Sequence, residues 1–242
     1  MKRTRFSPRT QMKLWLFSAV FSVALAVQGT VYTYSGSPSQ EIPDDYTSGW
    51  GTTFNFESVG LQISDVTVTF TTSGGYNGDL YAYLTHGSST LVLLNRVGVA
   101  NGTSDTQLFD NGYSGSGFNN ITVSDSGAGN IHNYGGSTLN STPTVGGTYK
   151  ADGQTASPVT APTGYGASGG SATFANTFGG SDPNGDWVLY FSDASGGSAA
   201  TLNSWSVGIT TVPEPVNAAL SVFGLLFVAA SVLRFCRRRD SK

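Results

Sequence analysis

Basic residues are almost missing from the middle of this chain. Residues 30–212 hold two, Arg96 and Lys150, against thirteen acids, a net charge of −11. A surface with two bases cannot neutralise a run of phosphates, which excludes nucleic-acid binding. Cysteine is missing there as well. The single Cys236 lies near the C-terminus, so the middle has no disulfide and must be held by its own core. Histidine is reduced to His86 and His132. Both stand in polar, turn-rich contexts where solvent exposure is the expectation. No G-x-S-x-G elbow follows an apolar strand pattern, so a Ser-His-Asp hydrolase lacks its usual signature. A glycosidase would need two carboxylates at a defined separation across a cleft, and no spacing here supplies it. No catalytic residue is expected.

Helical periodicity is also scarce. The chain carries 32 glycines and many Ser, Thr and Asn, residues that favour turns over helix interiors. What is present between residues 30 and 212 is a set of short alternating runs separated by Gly, Asn and Asp turns. Val66, Val68 and Phe70 point one way and their intervening threonines the other. Leu80–Leu84 follows the Tyr76-Asn77-Gly78-Asp79 turn, which reads as a hairpin connection. Thr90–Asn95 and Trp187–Phe191 are apolar on both faces, as central strands are. Ile121–Ser124 alternates, and Trp205, Val207 and Ile209 alternate with Ser206 and Gly208. Trp187, Leu189, Phe191, Trp205, Val207 and Ile209 are the expected core. The fold class is all-β, a β-sandwich of ample size for one core. From about residue 110 to 170 the Gly/Ser/Thr/Asn content predicts long loops, either linker or binding loop.

The ends have another character. Residues 1–29 carry five bases, no acids and the uncharged run Leu14–Ala26. A basic start, an apolar stretch of this length and the small-x-small Ala24-Leu25-Ala26 predict a secretory signal peptide, cleaved after Ala26 or Gly29. Residues 213–242 begin with Pro213-Glu214-Pro215, continue through the uncharged Val216–Leu233, and close on Arg234, Arg237, Arg238 and Arg239. That run is long enough to reach across a bilayer core, and trailing arginines stay cytoplasmic. Prolines on both sides of Glu214 keep the backbone extended and out of the following helix. Motif, hydrophobic helix and Arg cluster in this order resemble the PEP-CTERM sorting signal. The resemblance implies an exosortase that recognises Pro213, Glu214 and Pro215 and removes the tail with Arg237, Arg238 and Arg239. It further implies a membrane-anchored precursor, export to the cell surface or beyond, and an exopolysaccharide setting.

The middle carries a second resemblance. Glu41-Ile42-Pro43-Asp44-Asp45, Gly78-Asp79-Leu80 after a V-x-V-x-F strand, and Asn184-Gly185-Asp186-Trp187-Val188-Leu189 stand in order. Phe191-Ser192-Asp193 and Leu202-Asn203-Ser204-Trp205-Ser206-Val207 follow. Together they resemble stations of the proprotein-convertase P domain, which implies a jelly-roll β-sandwich of the galactose-binding-like type over residues 30–212. Turns rich in Asp and Gly offer the oxygen ligands that calcium takes. Asp44, Asp45, Asp79 and Asp193 are the candidate calcium ligands, with Asp182 and Asp186 in similar turns. The competing reading is that these aspartates brace turn backbone. Tyr113, Phe118, Tyr134, Tyr149 and Tyr165 are candidates for carbohydrate contact. Sequence alone therefore predicts an exported, adhesive or structural sandwich, with a calcium-dependent carbohydrate-binding module as the alternative.

Overall fold

The computed structural model describes residues 29–44, 48–60, 62–98, 112–135, 144–155, 169–212 and 215–239. The expected signal peptide falls outside these residues apart from Gly29. Residues Thr30–Val212 form one compact unit, and the C-terminal helix belongs to another. The strands are β1 (Val31–Gly36), β2 (Gln40–Ile42), β3 (Trp50–Phe56), β4 (Ile63–Gly74), β5 (Leu80–His86) and β6 (Ser89–Asn95). They continue with β7 (Phe118–Asn119), β8 (Ile121–Val123), β9 (Thr144–Val145), β10 (Thr148–Tyr149), β11 (Gly185–Asp193) and β12 (Ala200–Thr211). The helices are α1 (Phe174–Phe178) and α2 (Pro215–Arg239).

Two sheets face each other. One has the order β1-β12-β4-β8-β10, with β2 also on β12; the other has the order β3-β11-β5-β6. The chain changes sheet repeatedly, so both sheets are built from distant segments. Alternation puts Val66, Val68 and Phe70 of β4 inside, and Trp187, Leu189 and Phe191 of β11 opposite them. On β12 a bulge between Leu202 and Ser204 resets the alternation. The extra residue keeps Trp205, Val207 and Ile209 inward after Ala200 and Leu202. All six expected core residues are buried.

Trp187 is the hub of the core. Its ring meets Phe178 at 5.1 Å and Phe56 at 6.4 Å, and stacks on His86 at 4.2 Å and 7°. Its indole N–H donates to the Pro183 carbonyl at 3.0 Å, so the polar edge of a fully buried side chain is satisfied.

Three expectations are corrected. The Asn77-Gly78 turn is not a hairpin, because β4 and β5 lie in different sheets and the turn carries the chain across the sandwich. Tertiary bonds decide this. The Asn77 side chain accepts from Gly117 N–H and donates to the Gly117 carbonyl, while Gly78 N–H donates to Tyr113. Thr90–Asn95 falls on β6, at the end of its sheet rather than the centre. Leu91–Asn95 are buried there, with Asp152 and Gly153 donating to the Leu93 and Val92 carbonyls along the free edge. The loop region is the third. Its described parts are packed structure, with β7 to β10 and a buried His132–Asp152 pair at 2.7 Å. Gly127 belongs there for close approach, since a Cβ would collide with the Tyr149–Lys150 backbone.

The helix expected behind the Pro-Glu-Pro is present as α2, 25 residues long. Most of its described large apolar side chains, among them Leu220, Phe223 and Phe227, are exposed, while Leu225 is half-buried. Among the described residues no helix is long and apolar enough to cross a membrane.

Trp187→Ala is expected to cost ~3–5 kcal/mol, because it removes a large ring from a fully packed centre. The shift of the urea midpoint at constant slope measures it. A loss below ~1 kcal/mol, the range of a surface substitution, would remove Trp187 from the centre of the core.

Candidate functional site at the buried aspartates

Asp79 and Asp193 sit together at one end of a strand pairing. β5 opens at Leu80, directly behind Asp79, and β11 closes at Asp193, with Leu80 and Asp193 opposite each other in the ladder. Ala194 N–H donates to the Asp79 carbonyl at 2.8 Å, tying the strand ends together. Both carboxylates are fully buried. Arg96 joins them from the end of β6. Its N–H donates to the Leu80 carbonyl at 2.9 Å, and its Nη2 lies 3.7 Å from Asp79 Oδ1. Arg96 holds φ at 48°, a left-handed conformation that costs an L-residue roughly 1–2 kcal/mol. That cost aims a fully buried guanidinium at the carboxylates, and strain of this kind needs a surrounding structure that over-determines it.

Asp44 arrives from the turn after β2. Its Oδ2 accepts from Gly197 N–H at 3.2 Å, and Asp193 Oδ1 accepts from Ser195 N–H at 3.4 Å. The Ala194–Ala199 loop therefore holds one oxygen of each. The remaining oxygens, Asp44 Oδ1, Asp193 Oδ2 and both of Asp79, are buried without a hydrogen-bond partner. Burial pushes the Asp79 carboxyl up to about 8, reinforced by the negative charges of Asp193 and Asp44 and opposed by Arg96. Burial likewise pushes Asp193 up to about 7, against the Ser195 N–H and with the Asp44 charge adding to the rise. One guanidinium does not balance the two fully buried carboxylates with the half-buried Asp44 beside them, so the charged forms of Asp79 and Asp193 are disfavoured.

The structure thus brings Asp44, Asp79 and Asp193 into one electrostatic cluster. Asp45 lies outside the described residues. Asp182 and Asp186 stand elsewhere, and both are exposed. Asp182 Oδ1 accepts from the backbone and side-chain N–H of Asn184, which hold its carboxyl below the ordinary range. Asp186 Oδ1 accepts from Asn55 at 2.7 Å. Asp182 braces its turn, and Asp186 ties β11 to β3 across the strands. The donor set of the cluster is all oxygen, the chemistry a hard cation selects. Among the described residues, however, no three His, Cys, Asp or Glu side chains stand close enough to hold a metal as they are. Sequence reasoning missed Arg96, whose isolated position in an acidic stretch was the available signal.

The expected carbohydrate contacts are redirected. Tyr113 and Phe118 are core residues, 1% and 0% exposed. Tyr134 packs on Tyr113 at 4.6 Å and accepts from Asn77 through its hydroxyl, and Tyr149 lies 6.3 Å beyond it. These rings glue the loop region to the sandwich. Tyr165 is outside the described residues. Both histidines also depart from the expected exposure. His132 is fully buried on Asp152, and His86 is half-buried with its ring nitrogens 3.0 and 2.8 Å from the Asp186 and Asp182 carbonyls.

The raised carboxyls of Asp79 and Asp193 fix the sign of a pH dependence. Their folded state holds protons that the unfolded chain has released above about pH 4. Their contribution is fully present below that value and is lost as pH rises through about 7 and about 8. In metal-free buffer the melting midpoint of the wild type is expected to fall from pH 5 to pH 8 more steeply than that of Asp79→Asn. Parallel profiles would show that Asp79 does not titrate in this range.

Comparison with known proteins adds little beyond the geometry. No family model and no curated protein matches the chain. Among solved structures, a serine protease of Aeromonas sobria is 14% identical over 77% of this chain and 27% of its own, with a TM-score of 0.40. The complex of that protease with its chaperone is 15% identical over 81% of this chain and 29% of the matched one, with a TM-score of 0.38. The chain spans less than a third of the length of these structures, and at such similarity they decide neither its fold nor its activity.

Proposed function

We propose that this is an exported, exosortase-sorted, non-enzymatic β-sandwich protein of the cell surface or extracellular matrix, adhesive or structural in role. The observation that carries the reading is the place of the Pro-Glu-Pro. β12 closes the sandwich at Thr211 and α2 opens at Pro215, so the motif falls in the junction between the folded body and the apolar helix. Pro215 opens the helix rather than staying outside it as expected, because a proline at the first helical position lacks only an N–H that would have no intrahelical partner there. The full run Val216–Leu233 with its trailing arginines then serves as a membrane anchor of the precursor, its tail on the cytoplasmic side. The alternation of the chain between two facing sheets supports the jelly-roll type that the P-domain resemblance implies. After export the body works in contact with extracellular polysaccharide or with neighbouring surface proteins.

Mass spectrometry of the protein recovered from the culture medium is expected to show a C-terminus near Pro213–Pro215, without Arg237–Arg239. Glu214→Ala is expected to retain the tail. A surface form with an intact C-terminus would leave a plain membrane anchor and end the sorting reading.

A second reading concerns calcium, and the orphaned oxygens of Asp44, Asp79 and Asp193 favour it. A cation drawing these side chains together would relieve the excess negative charge beside Arg96. Its sugar-binding half has lost Tyr113 and Phe118 to the core. Melting in millimolar calcium and in EGTA, at matched ionic strength to equalise screening, is expected to give a higher midpoint with calcium. The gain is ~2.7 kcal/mol at a hundredfold excess over Kd. Identical midpoints would assign the cluster to a shared proton and Arg96 alone.

A further inference from the structure

The sandwich ends in four strand edges, and they are treated differently. The free edge of β6 is taken by Asp152 and Gly153, at 3.1 and 3.0 Å. Beyond β10, Lys150 N–H donates to Gly129 and Ile131 N–H donates to Lys150, so residues 129–131 continue the pairing there. The opposite flank is bare among the described residues. β1 ends one sheet and β3 ends the other. The two lie over each other, since Tyr34 of β1 stacks on Phe54 of β3 at 5.1 Å. Exposed edges are normally guarded by charge, proline or a bulge. Val31–Gly36 reads VYTYSG and Trp50–Phe56 reads WGTTFNF, with no charged residue and no proline. Their registers against β12 and β11 run without a shift. Within the described sandwich the exposed large hydrophobic side chains are Val31, 64%, and Tyr34, 43%, and both are on β1.

We propose that the β1 edge is a self-association surface on which β1 pairs antiparallel with β1 of a second copy. The partner is fixed by charge. A body at −11 repels another copy of itself almost everywhere, yet this edge carries no charge. Symmetric pairing about Thr33 sets Thr33 against its own copy, Tyr32 against Tyr34 and Val31 against Ser35, each pair on one face of the joined sheet. No like charges meet, and two Tyr32–Tyr34 contacts form across the strands. Glu41, the next charge along the chain, is sent to opposite ends of the pair, beyond a screening length of ~8–10 Å. An unpaired edge supplies the backbone donors and acceptors, and a strand of the same sequence returns them. The exposed faces of Val31 and Tyr34 are covered in the same event. The pairing is independent of how the chain is sorted.

Sedimentation of the full chain in detergent, across a range of concentrations, tests it. Wild type is expected to associate reversibly. Val31→Lys, at an exposed position, and Thr33→Pro, which removes an edge donor, are each expected to weaken association at least tenfold with an unchanged circular dichroism spectrum. Because Val31→Lys leaves the core untouched, it decides the matter even if Thr33→Pro fails to fold. Association of equal strength in wild type and Val31→Lys would place any contact in the helix and overturn the proposal. A monomeric wild type at ~0.1 mM, well above the micromolar range of stable complexes, would overturn it too.

Discussion

The face-to-face contact of two sheets across the Trp187–Leu189–Phe191 row is the constraint from which the rest follows. Without a disulfide between residues 30 and 212, nothing covalent holds β11 against β4 and β12. The holding is done by rings. Phe191 meets Phe70 at 5.4 Å, Phe70 meets Phe118 at 5.6 Å, and Trp187 collects Phe56, Phe178 and His86. Aromatic edge-to-face contacts add specificity to their large buried area. Remove that seam and neither sheet has a buried face, so the turns, the loop region and the aspartate cluster lose their platform.

The buried charges depend on the same seam from one end. Asp79 and Asp193 are side chains at the mouths of paired strands, and the ladder between β5 and β11 fixes their separation. Arg96 reaches them only because its backbone adopts a left-handed conformation immediately after β6. A buried ion pair set in this way is weak grounds for stability, because desolvation opposes the attraction. Its value is as a registration device and a titratable centre. Three carboxylates beside one guanidinium leave the site short of positive charge, and burial with that shortage raises the carboxyls of Asp79 and Asp193.

Surface charge and edge protection make one pattern. The acids that keep the body soluble are kept off β1 and β3, while the far edges are closed by residues 129–131 and 152–153. On a body of net charge −11, the uncharged β1 and β3 form the flank on which the proposed self-pairing rests. The flank also carries the exposed Tyr34, whose stacking on Phe54 and Trp205 holds it in place instead of leaving it free to find other partners.

Strands with strict alternation and long apolar side chains were legible from residues alone, as at β4, β5, β11 and β12, since a period of two is local. So was the burial of Trp187 and Trp205. β1 and β3 were not, because Thr, Ser, Gly and Asn at half-exposed positions carry no periodic signal strong enough to separate a strand from a loop. Composition alone marked the stretch of residues 110–170 as loop. Its described parts pack through Asn77, Tyr134 and the His132–Asp152 pair, contacts between residues far apart in sequence. Three of the four aspartates named from turn chemistry fall in one electrostatic cluster. Arg96, the orphaned oxygens of Asp79 and the raised carboxyls of Asp79 and Asp193 were decided by burial, which no window of sequence contains. The hairpin failed for the same reason. Asn77-Gly78 can turn in several ways, and bonds to Gly117 and Tyr113, forty residues away at the former, chose the crossing between sheets. Residue type and local period determined which segments are strands with a buried face. Long-range hydrogen bonding and desolvation, which exist only once the sheets are stacked, determined how those segments connect and where the charges end up.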